Sequence, residues 1–153
     1  MSRAGLLFLA LLGAAALSLA ACDDDTAETN DYVDQVNEVT STLQSGLAQV
    51  ASQTNVDSVE QASEVFDGLA EQINAAAAEL DGISPPEEIT DLHDRITDDL
   101  KTLESEAQGA ANEIRDGGAG AIPGVMAQVL VEANRIGSEI DTTISEINSE
   151  LQE

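Results

Sequence analysis

Apolar residues recur along most of this chain at steps of three and four, with polar residues between them. That spacing lines one face of a helix, because 3.6 residues complete a turn. The sharpest stripe is Val59, Ala62, Phe66, Leu69, Ile73, Ala76 and Leu80. Its alternating steps of three and four are the seam of coiled-coil-like packing. A shorter stripe precedes it: Val36, Val39, Leu43, Leu47 and Val50. Two longer ones follow: Ile89, Leu92, Ile96, Leu100, Leu103, Ala107, Ala110 and Ile114, then Val125, Val129, Ala133, Ile136, Ile140, Ile144, Ile147 and Leu151. These stripes predict helices over about 31–52, 58–81, 85–116 and 123–152. No segment alternates with a period of two, so no strand is predicted. Four helices with three short connections favour an all-α, antiparallel up-down four-helix bundle over residues 30–153.

The boundaries carry their own signals. Thr29 or Asn30 can cap the first helix, and Asp57 with Glu60 reads as a variant capping box for the second. Gly82 stops the second helix, with Ile83 folding back as the hydrophobic partner of a glycine-type cap. Ser84 caps the third and Pro85 takes its first helical position, while Gly117 ends it. Gly46, Gly68, Gly109 and Gly137 lie beside the stripes. They mark either close helix approach or tolerated glycines costing up to about 1 kcal/mol each.

The later pair of predicted helices is longer by about 8 residues, roughly 12 Å at the helical rise. A tight turn at Gly82 to Ser84 would align the end of helix two with the start of helix three. The excess would then project at the opposite end, where the tip runs from Gly117 to Met126. Ile122, Val125 and Met126 are the apolar residues there, and they are the candidate partner contacts. The competing reading is a tip that folds over the bundle end and buries itself.

The first 22 residues follow a different pattern. Arg3 supplies a positive charge, Ala4 to Leu19 is apolar apart from Ser18, and the first acidic residue is Asp23. Basic, apolar, small, then polar is the order of a secretory signal. The stretch Leu19-Ala20-Ala21-Cys22 closely resembles the lipobox of bacterial lipoproteins. Four consecutive positions fit, directly after an apolar run of suitable length, and the resemblance covers residues 1–22 only. It implies a diacylglyceryl group on the Cys22 thiol and cleavage between Ala21 and Cys22. Residues 1–21 are then a signal peptide, and 22–29 are the lipidated cysteine with an acidic tether, "DDDTAET" from Asp23. Seven residues reach at most about 24 Å. The resemblance places the bundle on the extracytoplasmic side of the cell membrane. Lipoproteins with aspartate after the modified cysteine, here Asp23, often stay on the inner membrane of two-membrane bacteria. Two other readings stand: an ordinary signal peptide with a small-residue end, or an uncleaved span from Ala4 to Cys22, which is close to the ~20 residues a bilayer needs. In the anchored readings Arg3 stays inside and the acidic chain goes out.

Charge narrows the partners. All 30 acidic residues follow Cys22, against Arg95, Lys101, Arg115 and Arg135, which leaves a net charge of −26 with His93 neutral. A chain with no basic surface cannot displace counterions from phosphates, which rules against nucleic acid. It also rules against docking a protein face on anionic lipid. Cys22 is the single cysteine, so no disulfide staples the domain.

Few residues of the chain carry catalytic or metal-binding chemistry. His93 is the one histidine, flanked by Asp91 and Asp94, whose charges would favour its protonated form. A di-iron bundle needs two Glu-x-x-His pairs, and position 90 is Thr90. No Cys/His pair is available for zinc or for a nucleophile, and no nucleophile elbow is present. "GGAGAIPG", from Gly117, matches neither phosphate-binding pattern and reads as a connection. Asp91, Asp94, Asp98 and Asp99 crowd one helix, with Arg95 expected to pair within it at i,i+4. That patch reads as a solvated face or a loose cation site.

No catalytic residue, metal ligand or cofactor is implied. The expected function is a lipid-anchored, extracytoplasmic, non-enzymatic helical bundle. It would hold the membrane through lipid on Cys22 and contact an envelope protein. The alternative is a lipoprotein that binds a cation or small ligand.

Overall fold

The computed structural model describes residues 26–52 and 58–151, with side chains at 29–43, 45 and 58–151. Ala21, Cys22, the aspartates after them, Asp57, and the side chains of Leu47 and Val50 lie outside the described residues. Four helices follow one another: α1 (Thr26–Ser52), α2 (Val59–Asp81), α3 (Thr90–Gly117) and α4 (Ile122–Glu150). Short 3-10 turns, Glu87–Ile89 and Gly118–Gly120, lead into α3 and α4. No strand occurs among the described residues. The chain is an all-α four-helix bundle in which α2 packs most extensively on α3, α3 on α4, and α1 on α2.

The stripes form the core. Every predicted position of α2 from Ala62 to Leu80 is buried, as is every one of α4 from Val125 to Ile147. In α1, Val36, Val39 and Leu43 are buried, and Tyr32 and Val33 join them. Both helices of the most extensive contact bury alanines: Ala70, Ala76 and Ala77 in α2, and Ala107, Ala110 and Ala111 in α3. Small side chains let helix axes approach closely. The buried hydroxyls are satisfied locally. Ser63 donates to the Glu60 carbonyl at 3.0 Å, Thr97 to His93 at 3.2 Å and Thr143 to Glu139 at 3.0 Å.

Several boundaries differ from expectation. α1 begins at Thr26, so the last residues of the predicted tether are its first turn. α2 is capped by Ser58, whose hydroxyl accepts the Gln61 N–H at 3.2 Å. Gly82 does end α2, but at φ −85° and ψ −11°, a conformation open to any residue. Ile83 folds back and is buried. The α3 helix does not start at Pro85. A residue preceding proline is disfavoured in the helical region, and Pro85 precedes Pro86, which itself sits at ψ 149°. The chain therefore stays extended until the 3-10 turn at Glu87.

This late start reverses the expected overhang. Asp81, the last residue of α2, binds Lys101 at 3.4 Å and also acts electrostatically on His93. It is therefore level with the stretch between those two residues of α3. About two turns of α3 run past the end of α2. The connection 82–89 climbs back along them, burying Ile83 and Ile89 where α2 has stopped. At the other end Arg115, in the last turn of α3, pairs with Asp67 well inside α2. There α2 continues alongside the α3–α4 tip, so the tip does not project.

Candidate functional site

The tip residues singled out from the sequence are covered. Val125 is buried in the core, and Ile122 and Met126 are half-buried against it. The turn that seats them depends on Gly118, at φ 67° and ψ −166°, whose N–H caps the Ile114 carbonyl. This backbone region is restricted to glycine. The three residues form no open apolar surface, because the overhang that would have exposed them lies at the opposite end.

At that opposite end the structure assembles a polar cluster inside the core. His93 projects from α3 and is buried, as is Tyr32 of α1. The Tyr32 hydroxyl lies 3.2 Å from His93 Nδ1, and the rings meet edge-on with centroids 5.7 Å apart. The ring also lies beside the Leu80 backbone, in the last turn of α2, whose carbonyl accepts the Ile83 N–H at 2.8 Å. In the neutral ring Nδ1 can accept the tyrosine proton. One buried side chain thus meets both α1 and the end of α2.

Burial sets the electrostatics of this pair. It pushes the Tyr32 hydroxyl up to about 12. It also pulls His93 below the ordinary histidine value, against the opposing influence of the Leu80 backbone and the charges of Asp94 and Asp81. The expectation that neighbouring aspartates favour the charged imidazole is corrected here. Asp91 and Asp94 are exposed while the ring is buried, and desolvation outweighs charges facing water.

The aspartate patch on α3 also resolves differently. Arg95 does not pair along its helix but crosses to Glu146 of α4 at 2.8 Å. Asp99 turns toward α4, and its Oδ2 is buried without a hydrogen-bond partner. Desolvation raises its pKa, Glu139 adds to the rise, and Arg135 and Arg95 oppose it. Arg135 is held between Glu132 and Glu139. No group of three potential metal-ligating side chains comes together among the described residues. An open groove of about 400 Å³ lies between α2 and α3, lined by Asp67, Ala70, Glu71, Asn74, Glu104 and Gln108. No described helix is long and apolar enough to cross a membrane.

Sequence reasoning placed His93 beside the seam but missed Tyr32. The signal was available, since stepping back four residues from Val36 reaches Tyr32 on the same face. Which residues of two helices lie level depends on the connections, and no stripe encodes that. Comparison with protein-family models, curated proteins and solved structures returns no match.

Proposed function

We propose that this protein is a lipid-anchored, extracytoplasmic and non-enzymatic bundle that serves as an interaction or structural module of the cell envelope. The observation that carries the reading is Leu19-Ala20-Ala21-Cys22, ending an apolar run and followed at once by aspartate. The lipid on Cys22 supplies the hold on the membrane, and a charge of −26 after it keeps the protein surface off anionic headgroups. The burial of His93 against Tyr32 supports a non-catalytic bundle, since the one histidine sits in the core between helices.

The deciding experiment expresses the full chain in a bacterium and determines the mature N-terminus by mass spectrometry. The expected product begins at Cys22, carries the mass of a diacylglyceryl group and sediments with membranes. Cys22→Ser should abolish both the modification and the cut. A mature N-terminus at any other residue would overturn the reading.

The groove between α2 and α3 favours a second reading, a lipoprotein that takes a small cationic ligand between Asp67, Glu71 and Glu104. Asp67 is already paired with Arg115, and Glu104 accepts from Gln108 at 2.7 Å, which weakens it. Calorimetry with calcium, magnesium and a polyamine separates the two; saturable heats would favour the groove.

A further inference from the structure

We propose that His93 is the catch of a proton-operated latch, and that protonation of its buried ring loosens α1 from the other three helices. The neutral ring meets the Tyr32 hydroxyl at 3.2 Å from Nδ1, where it can accept the tyrosine proton. In the imidazolium both ring nitrogens carry protons, so Nδ1 can only donate to the tyrosine oxygen. The tyrosine must then turn its lone pair to the ring and aim its own proton elsewhere, in a core where it is 1% exposed. The imidazolium would also be a charge taken out of water, which is costly unless it is paired.

The groups around the ring do not supply that pairing. Tyr32 faces it from α1 and is neutral. From α2 comes Asp81, which is engaged by Lys101 and two-thirds exposed. From α3 itself comes Asp94, exposed to solvent. The α4 helix contributes no charged group to those acting on the ring, and neither do Glu87 and Glu88 of the preceding connection. Burial therefore dominates, and the protonated ring opposes the closed form.

The loosened element is α1 because the others are tied in other ways. Ion pairs join α2 to α3 through Asp81–Lys101 and Asp67–Arg115, and α3 to α4 through Arg95–Glu146. Among the described residues no ion pair reaches α1, which contains four acidic and no basic residues between Thr26 and Ser52. It is repelled by an acidic neighbourhood and held by an apolar stripe with the Tyr32–His93 link at its start. Histidine is the group whose ordinary titration falls in the physiological range. The latch is fully closed above the ordinary value near 6.5 and weakens as pH falls below it.

The composition makes the test unambiguous, because the chain holds one histidine, one tyrosine and no tryptophan. In the full chain, kept in non-ionic detergent, imidazole NMR should show His93 titrating below about 6.5. Between about pH 7.5 and 5.5, amide protection over residues 32–43, corrected for intrinsic exchange, should fall by up to about tenfold relative to 107–114 and 136–147. Tyr32 emission should change with the same midpoint. His93→Gln, which keeps a donor and an acceptor but cannot titrate, should lose this step. The proposal is overturned by an imidazole titrating at or above 6.5, by unchanged protection in α1, or by an acid step that persists in His93→Gln. If that variant does not fold, the imidazole titration and α1 exchange of the unaltered chain decide.

Discussion

Lys101 Nζ lies 3.4 Å from Asp81 Oδ1, and this pair sets the level at which α2 stops against α3. Beyond it the core is closed by the connection rather than by a helix. Ile89 there is fully buried. Removing a buried isoleucine costs its transfer energy and leaves a cavity. Ile89→Ala should destabilise the bundle by about 2–4 kcal/mol in denaturant unfolding. Val131→Ala, at a side chain 70% exposed, should change it by less than about 0.5 kcal/mol.

Two glycines make opposite predictions. Gly118→Ala forces a Cβ into a backbone region reserved for glycine and should cost about 1–3 kcal/mol. A Cβ on Gly109 meets nothing within 4 Å on an exposed part of α3. Gly109→Ala should raise stability by about 0.5–1 kcal/mol through the lower entropy of the unfolded chain. Thermal unfolding of the two variants side by side checks both signs.

Asp99 gives a pH prediction. Its folded pKa is raised, first by desolvation and then by Glu139, so the ionised form is disfavoured in the bundle. Such a group opposes folding above its folded pKa, and the penalty disappears as pH falls through the unfolded carboxylate value. Asp99→Asn should therefore stabilise at neutral pH, and the gain should shrink toward about pH 4. A melting series over that range reads the difference directly.

Ionic strength should act in the same direction as charge removal. The four basic residues after Cys22 are all paired at the surface, where such pairs contribute little. The remaining acidic excess repels itself, and salt screens that repulsion over about 10 Å at 0.1 M. Melting temperature should rise by a few degrees, about 1 kcal/mol, between low and moderate salt.

The stripes were legible because helical burial follows a local period. From Val125 to Ile147 the spacing alone identified the buried face of α4. Register was not legible, because it depends on how the connection folds. Reading Gly82 to Ser84 as a tight turn put the overhang at the wrong end and exposed Ile122, Val125 and Met126 on paper. The Pro85–Pro86 pair held the correction, since the first proline cannot easily be helical. His93 shows a second limit. Its sequence neighbours are aspartates, but its spatial neighbours are Tyr32 and the end of α2, and the latter decide its charge.

The extensive contact between α2 and α3 bears on the order of assembly. These helices are consecutive in the chain, so their contacts close a short loop at little entropic cost. The pair should form first, with α4 and then α1 added to it. Substitutions at Ala76 or Ala110 would slow folding, whereas Val36→Ala in α1 would chiefly speed unfolding, a division that stopped-flow kinetics resolves.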